Sequence, residues 1–238
     1  MTRRLILLRH GQTEYNATSR MQGQLDTELS ELGIRQAEDA AKVLAGQNIV
    51  HVISSDLTRA HKTALAVAGL IDTEVTQDRR LRETHLGEWQ AKTHQEIDNT
   101  YPGARAKWRH DPQWAPPGGE SRLDVARRSR QLVDDLMINL PEWNNGTVLL
   151  VAHGGTINAL TSNLLDLDLD QYPMFSGLGN TCWAQLTARP RYYPGSENPE
   201  EDLKNSTVKT PGPSFDRNNV GNAQWYLDGW NMGVTSSS

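Results

Sequence analysis

Leu5-Ile6-Leu7-Leu8-Arg9-His10-Gly11 places four consecutive apolar residues directly before a cation, an imidazole and a glycine. A short, unbroken apolar run of this kind is typical of a strand that is buried on both faces of a sheet. The polar residues would then stand at the carboxyl end of that strand. The segment therefore predicts a buried strand that brings Arg9 and His10 to one edge of a sheet.

Other segments repeat this pattern of a buried strand followed by a helix. Val50–Ile53 predicts a second strand, a short extended piece is expected near Val75, and Thr147–Ala152 predicts the clearest strand of the chain. Ser30 can cap one of the intervening helices. The apolar face of that helix is predicted to consist of Leu32, Ala37, Ala40, Ala41 and Leu44. Alternating strands and helices of this length predict the α/β class, as a three-layer α/β/α sandwich with a mainly parallel central sheet.

Composition limits the classes of protein and of partner. The chain has 238 residues, of which 37% are hydrophobic, which suits one domain over residues 1–238. A net charge of -5 argues against nucleic acid or an anionic membrane as a partner. The lone Cys182 excludes an internal disulfide framework and a cysteine-based zinc site. With no segment of membrane-spanning or signal-peptide type, we expect a cytoplasmic protein.

Two segments differ in composition from the rest. Residues 89–119 are rich in Trp, His, Pro and charge, and could form a cap in which Trp89, Trp108 and Trp114 line a sugar-sized pocket. Residues 189–222 are dense in Pro, Gly, Asn and Ser, and predict a polar loop or partly disordered stretch. A strand is predicted on each side of that stretch, at Cys182–Leu186 and, as an edge strand, at Ala223–Leu227.

Charged and imidazole side chains follow the predicted strands. In open α/β sheets, ligands collect outside the carboxyl ends of the strands, so Arg9, Arg59 and His153 can converge there. A phosphoryl group in transfer spreads negative charge over its oxygens and needs fixed donors around them. The two arginines supply planar forks of N–H groups, and His153, with Gly154 at a helix start, adds an imidazole and backbone N–H groups. The pattern predicts a phosphate clamp.

Two further residues could add catalysis to this phosphate-binding site. A neutral imidazole at His10, held through one ring nitrogen, can attack phosphorus with the other. Glu83, within Leu81–Gly87, is the candidate to protonate the leaving alkoxide and later to accept a proton from water. These roles predict hydrolysis of a phosphomonoester through a phosphohistidine. A phosphate-ligand sensor remains as an alternative from another class, although it would need only the clamp.

The motifs, taken together and in order, resemble those of a known family. They read LLRHGQTEYN, MQGQLD, LSELGIRQA, SSDLTRAHKTA, LRETHLGEWQ, PPGGES and VLLVAHGGTI. Over almost all of residues 1–186 the chain resembles the histidine phosphatase superfamily, which implies the phosphoglycerate mutase-like fold. The resemblance implies that His10 is the nucleophile and Glu83 the proton donor, with no metal and no cofactor. The phosphate pocket it implies consists of Arg9, His10, Arg59 and His153, with Asn16 and Gln22 as further phosphate or substrate contacts.

One segment separates the branches of this family. Cofactor-dependent phosphoglycerate mutases usually carry Glu-Arg-His-Tyr-Gly, where this chain has Glu83-Thr84-His85-Leu86-Gly87. The difference favours a phosphatase acting on a small phosphorylated sugar or glycerate, and a mutase is the alternative enzyme. A homodimer is compatible with the resemblance.

Overall fold

A six-stranded sheet organises the computed structural model, which describes residues 2–191, 215 and 219–234. The strands are β1 Arg3–Arg9, β2 Ile49–Ser54, β3 Val75–Gln77, β4 Thr147–Ala152, β5 Trp183–Pro190 and β6 Ala223–Met232. Their order across the sheet is β3-β2-β4-β1-β5-β6. The first four in this order pair in parallel, while β5 runs antiparallel to both β1 and β6. The predicted mainly parallel sheet, with the last strand at its edge, is confirmed.

Helices cover both faces of the sheet. The helices are α1 Glu14–Ala17, α2 Glu31–Leu44, α3 Thr58–Leu70, α4 His94–Thr100, α5 Ala104–His110, α6 Arg122–Asn139 and α7 Gly154–Leu164. Alternate residues of β1 enter different cores, because successive side chains of a strand point to opposite faces. Leu5 and Leu7 pack into a cluster that includes side chains of α6 and α7. Ile6 and Leu8 pack with α2 and α3, so the three-layer sandwich is confirmed.

The helix predicted after Ser30 forms, but its buried face differs from the prediction. The Ser30 side chain accepts a hydrogen bond from the Gly33 backbone N–H at 3.1 Å and caps α2. Leu32, expected on the apolar face, is 42% exposed. The buried positions of α2 are Gly33, Ala37, Ala40, Ala41 and Leu44. These positions follow the i, i+4, i+7, i+8 spacing of one helical stripe, and Leu32 falls outside that stripe.

Two glycines let the backbone after β1 touch α2. A Cβ at Gly33 would lie 2.0 Å from the Gln12 carbonyl oxygen, and one at Gly11 would lie 2.3 Å from the Gly33 carbonyl oxygen. Both contacts are backbone to backbone, so no side chain can move to relieve them. The close approach fixes the segment that follows His10 against the first turn of α2.

We expect Gly33→Ala to destabilise the fold by about 1–3 kcal/mol, the usual cost of overpacking of this kind. Gly69→Ala is the matched control, because that helical glycine has nothing within 4 Å of its added Cβ. A helical Gly→Ala change there should stabilise the protein by about 0.5–1 kcal/mol. Urea unfolding of both variants measures the difference, and equal stabilities would contradict the close approach.

The compositionally distinct segment 89–119 contains short helices and a small core of its own. Helices α4 and α5 lie in it, and Leu86, Trp89 and Ile97 form a buried cluster against which Trp108 and Trp114 pack. The Trp89 ring lies 5.9 Å from that of Trp108 and 5.5 Å from that of Trp114, measured between ring centroids. The segment therefore has packing of its own beside the sheet.

The polar segment predicted for residues 189–222 has different ends in the structure. Arg189 and Pro190 continue β5, because they pair with Gln224 and Ala223 of β6. A 3₁₀ turn at Val220–Asn222 precedes β6. The strand predicted from Cys182 begins one residue later, at Trp183, and Cys182 is half-buried. The remainder of the prediction, at residues 192–214 and 216–218, lies outside the described residues.

Among the described helices, none combines the length and the apolar composition that crossing a bilayer requires.

Candidate active site

His10 lies directly after β1, where its side chain is almost fully buried. Its backbone N–H donates to the Ala152 carbonyl at 3.1 Å, which ties it to the end of β4. The ring Nδ1 lies 2.7 Å from the Gly11 carbonyl oxygen. Because a carbonyl can only accept, Nδ1 carries the hydrogen and Nε2 keeps its lone pair. Burial, followed by the charges of Arg59 and Arg9, holds the pKa of His10 well below its ordinary value, so the ring is neutral.

Arg59 stands in the first turn of α3, just beyond the end of β2, and is fully buried. Its Nη1 donates to the Leu25 carbonyl at 2.7 Å, and its Nη2 donates to the Gly23 carbonyl at 2.9 Å. Its Nε has no hydrogen-bond partner within the described structure. Burial lowers the pKa of Arg59 to about 10, which leaves it a cation at neutral pH. Two backbone carbonyls thus orient a charged fork while its Nε–H stays available.

Arg9 is the last residue of β1 and precedes His10 directly. Its Nη1 donates to the Leu178 carbonyl, and its buried Nε has no partner in the portion of the chain described. Burial lowers the pKa of this guanidinium, and the nearby Glu83 partly opposes that shift.

His153 follows β4 and occupies the N-cap position of α7. It is completely buried, and neither ring nitrogen has a hydrogen-bond partner among the described residues. Its ring centroid lies 5.1 Å from that of His10. Burial, with Arg59 and His10 contributing next, holds the pKa of His153 well below its ordinary value.

Four buried nitrogens of these residues have no hydrogen-bond partner in the described structure: Nε of Arg9, Nε of Arg59 and both ring nitrogens of His153. A buried polar group without a hydrogen bond costs about 1–3 kcal/mol, so the arrangement favours a ligand with several acceptor oxygens. Arg9 and Arg59 line a cavity of about 150 Å³, whereas His153 stands beside the His10 ring and is not part of that lining. The lining of the cavity includes Arg9, His10, Asn16, Gln22, Arg59 and Glu83. The site is built for a compact oxyanion beside the Nε2 of His10.

Glu83 lies on the same cavity, in the segment that follows β3 and a 3₁₀ turn. Its Oε1 accepts from the Thr84 backbone N–H at 2.8 Å, and its Oε2 accepts from the Gly155 backbone N–H at 3.1 Å. The Glu83 carbonyl accepts from Gln24 Nε2 and Arg128 Nη2, each at 3.1 Å. The carboxyl group is therefore fixed at the cavity wall by contacts on both its side chain and its backbone.

The other residues predicted to contact the substrate lie on two different cavities. Asn16 and Gln22 both line the cavity. The Asn16 Oδ1 accepts from the Thr13 backbone N–H at 3.1 Å, and the Gln22 Oε1 accepts from Thr27 Oγ1 at 2.7 Å. Gly154 lies on a neighbouring cavity instead, where its Cα faces the Arg9 side chain, and a Cβ there would come 3.5 Å from Arg9 Nε.

Asn180 is a site residue that the sequence did not reveal. Its Nδ2 donates to the His10 carbonyl at 3.1 Å and to Asn16 Oδ1 at 3.3 Å. It therefore links the segment that contains His10 to Asn16, which also lines the cavity. The turn before β5 carries no repeating pattern that would single out this asparagine.

The three tryptophans of segment 89–119 have different positions. Trp108 lines both the small cavity and its larger neighbour, as predicted. Trp89 is completely buried in the small core, and Trp114 packs against it. Both are absent from the linings of these two cavities, because their rings fill the space behind Trp108.

In the described ranges, no three or more His, Cys, Asp or Glu side chains are grouped so that they could hold a metal ion.

The two buried histidines predict how stability depends on pH. In the folded protein the pKa of His10 and that of His153 lie below the ordinary value, whereas in the unfolded chain each returns to about 6.5. The unfolded state therefore binds more protons below about pH 6.5, and stability falls as the pH drops from there toward the folded pKa. Each histidine contributes up to about 1.4 kcal/mol per pH unit in that window.

Urea unfolding at two pH values, one near neutrality and one below the ordinary histidine pKa, measures this dependence. We expect His153→Asn to lose less stability between the two than the unchanged protein does. An equal loss in both proteins would contradict the assignment of His153 as a buried neutral group.

Comparisons with known proteins show which family this chain resembles. The family model of the histidine phosphatase superfamily (branch 1) matches residues 5–193. A glucosyl-3-phosphoglycerate phosphatase of Mycolicibacterium vanbaalenii is 54% identical over 193 residues, covering 79% of this chain and 86% of the relative. One from Mycobacterium tuberculosis is 47% identical over 241 residues, covering 99% and 97%. A solved mycobacterial glucosyl-3-phosphoglycerate phosphatase in complex with VO3 is 46% identical, with a TM-score of 0.82, covering 97% of this chain and 100% of that chain.

Proposed function

The chain belongs to the histidine phosphatase superfamily, and from this premise we propose that it hydrolyses glucosyl-3-phosphoglycerate to glucosylglycerate and phosphate. The reaction makes it a phosphoric monoester hydrolase with a phosphohistidine intermediate. The observation that best supports this is the neutral His10, which shares a cavity with Arg9 and Arg59, each with an unpartnered buried Nε, and whose ring lies 5.1 Å from the unpartnered ring of His153. The names of the mycobacterial relatives support the choice of substrate.

In the first step the phosphoryl oxygens accept hydrogen bonds from the unpartnered N–H groups of Arg9, Arg59 and His153. The Nε2 lone pair of His10 forms a bond to phosphorus, and the bond from phosphorus to the ester oxygen breaks. The Gly11 carbonyl, which holds Nδ1–H, favours the positive charge that develops on the ring. Glu83, when protonated, gives its proton to the leaving oxygen.

In the second step water takes the place of the departed alcohol. Glu83, now a carboxylate, accepts a proton from this water. At the same time the water oxygen forms a bond to phosphorus, and the bond between phosphorus and His10 Nε2 breaks. The Gly155 and Thr84 backbone N–H groups hold the carboxyl oxygens during both transfers. Inorganic phosphate then leaves, and His10 returns to its neutral form.

A mutase would share the first step but return the phosphoryl group to another hydroxyl. To do so it must protect the phosphorylated enzyme from water while the product turns over. Incubation with glucosyl-3-phosphoglycerate, and separately with 3-phosphoglycerate plus 2,3-bisphosphoglycerate, distinguishes the two reactions by product analysis. We expect phosphate release to exceed isomerisation in every mixture. Isomerisation that outpaces phosphate release would overturn the phosphatase assignment.

The proposed mechanism gives every chemical role to a side chain. Phosphate release should therefore continue at an unchanged rate, within about twofold, after exhaustive treatment with a strong chelator, because the arginines supply the fixed charge. Malachite-green detection of phosphate before and after treatment is sufficient. Loss of activity that one added divalent ion restores would contradict the mechanism.

Three other features of the account stay predictions. They are a single domain over residues 1–238 with a cap at 89–119, a cytoplasmic location, and a homodimer. Light scattering coupled to size-exclusion chromatography tests the last of these.

A further inference from the structure

A second cavity, of about 400 Å³, opens beside the small one. The two cavities share Arg9, Glu83, Trp108 and Gly155 in their linings, so they are adjacent. The small cavity is lined by Arg9, Arg59 and His10, and Glu83 lines both cavities. On the proposed function, the larger cavity is where the organic part of the phosphomonoester would lie, since pockets of this size accommodate small organic ligands.

Arg122, at the start of α6, brings a cation into this larger cavity. Its guanidinium carbon lies 4.9 Å from the centroid of the Trp108 ring, and its Nη1 donates to the Arg109 carbonyl at 3.0 Å. Both contacts orient the group without neutralising it. Stacking on an aromatic face also leaves the edge of a guanidinium free to bind a carboxylate with two N–H groups.

The lack of a carboxylate partner distinguishes Arg122 from its neighbours on α6. Arg127 pairs with Asp124 at 3.4 Å, Arg128 with Glu120 at 2.7 Å and Arg130 with Asp134 at 2.7 Å. Within the described part of the chain, Arg122 forms no salt bridge with a carboxylate. Arg109 lines the same cavity and adds a second positive charge. Arg122 and Arg109 thus bring positive charge to this cavity. The other arginines of α6 named above are instead paired with carboxylates.

The same cavity also holds an acceptor without a donor. Asn158 lines it, and its Oδ1 is buried with no hydrogen-bond partner in the described structure. A ligand that satisfies both groups would carry a negative charge for Arg122 and hydroxyl groups for Asn158. A purely apolar alcohol would satisfy neither.

We propose that Arg122, held on Trp108, binds a carboxylate of the leaving group and so selects phosphomonoesters of hydroxy acids over those of neutral alcohols. This inference rests on the proposed function, in which the leaving group is a substituted glycerate. In a 3-phosphoglycerate unit the carboxylate is separated from the leaving oxygen by two carbon atoms. That short separation suits a cation on the cavity that Glu83 also lines. Arg122 is therefore a specificity-determining residue outside the phosphate clamp.

The test compares substrates that differ in the carboxylate. 3-Phosphoglycerate and glycerol 3-phosphate have the same chain length, and nitrophenyl phosphate has no glycerate at all. The unchanged protein should have a higher kcat/KM for 3-phosphoglycerate than for glycerol 3-phosphate. Arg122→Gln should lower kcat/KM about 10- to 100-fold for 3-phosphoglycerate and for glucosyl-3-phosphoglycerate, as loss of a charged hydrogen bond predicts. The values for glycerol 3-phosphate and nitrophenyl phosphate should change less than about threefold.

Arg127→Gln is the matched control, since it removes the same charge from the exposed side of the same helix. It should leave all four kcat/KM values within about twofold. Turnover of nitrophenyl phosphate reports whether each variant retains a folded phosphate site. If Arg122→Gln does not fold, Arg122→Lys gives the same comparison, because an ammonium cannot make the paired contact of a guanidinium. It should reduce the preference for 3-phosphoglycerate.

The inference is overturned if the unchanged protein does not prefer 3-phosphoglycerate to glycerol 3-phosphate. It is also overturned if Arg122→Gln lowers kcat/KM by the same factor for both substrates, or leaves both values unchanged. Failure of the proposed function has a separate signature, namely no phosphate release from glucosyl-3-phosphoglycerate by the unchanged protein. The ratio of kcat/KM for 3-phosphoglycerate to that for glycerol 3-phosphate is measured independently of that result.

Discussion

Replacing His10 with asparagine is expected to lower the rate of phosphate release by at least about 10⁴-fold, as loss of a catalytic nucleophile does in other enzymes. An amide nitrogen has no lone pair that can form a stable bond to phosphorus. Incubation with ³²P-labelled substrate followed by rapid denaturation should label the unchanged protein, and acid should release that label. The variant should carry no label.

His94→Asn is the control for this experiment, because His94 is exposed and lines neither cavity. It should retain both turnover and labelling. Thermal unfolding of the His10 variant should show an intact fold, since a buried neutral ring is replaced by a smaller neutral group. Retained turnover in a folded His10→Asn protein would remove His10 from the mechanism.

Glu83→Gln is expected to have the second-largest effect, with a size that depends on the leaving group. Glutamine can keep one of the two contacts with Thr84 and Gly155 through its single oxygen, but its amide nitrogen cannot accept the other, and it cannot transfer a proton. Loss of general acid-base catalysis costs about 10²- to 10⁴-fold when the leaving alkoxide is strongly basic. We therefore expect a loss in that range for glucosyl-3-phosphoglycerate and a clearly smaller one for nitrophenyl phosphate, whose leaving group needs little protonation.

The control here is Glu74→Gln, an exposed carboxylate outside both cavities. Single-turnover measurements with each substrate show separately how much the substitution slows phosphoryl transfer to His10 and how much it slows the attack by water. If the Glu83 variant loses the same factor on both substrates in the first step, Glu83 is not the general acid.

The buried strands and the catalytic edge were predictable from sequence because both depend on local patterns. The apolar run before Arg9 and the run before His153 form β1 and β4 as expected, and they pair directly. Parallel neighbours bring their carboxyl ends to one edge, so the convergence of His10, Arg59 and His153 follows from the strand order. The motif strings also resemble those of glucosyl-3-phosphoglycerate phosphatases, and the mycobacterial relatives confirm that resemblance.

Contacts between distant parts of the chain were not predictable in the same way. Asn180 binds the His10 carbonyl across 170 residues of sequence, and no periodicity marks that pairing. Arg122 has the same appearance in sequence as the other arginines of α6, and only the fold shows that it faces a cavity instead of a carboxylate. The exposure of Leu32 has a related cause, because the approach of Gly33 to the segment after His10 sets which stripe of α2 faces inward.

The central claim is that this chain hydrolyses glucosyl-3-phosphoglycerate at a phosphate site built around His10. The most direct measurement is kcat/KM for phosphate release from a panel of glucosyl-3-phosphoglycerate, 3-phosphoglycerate, glycerol 3-phosphate, glucose 6-phosphate and phosphoserine. The account predicts the highest value for glucosyl-3-phosphoglycerate, at least about tenfold above each of the others, which corresponds to about 1.4 kcal/mol of additional transition-state binding. Comparable values across the panel, or no phosphate release from glucosyl-3-phosphoglycerate, would contradict it.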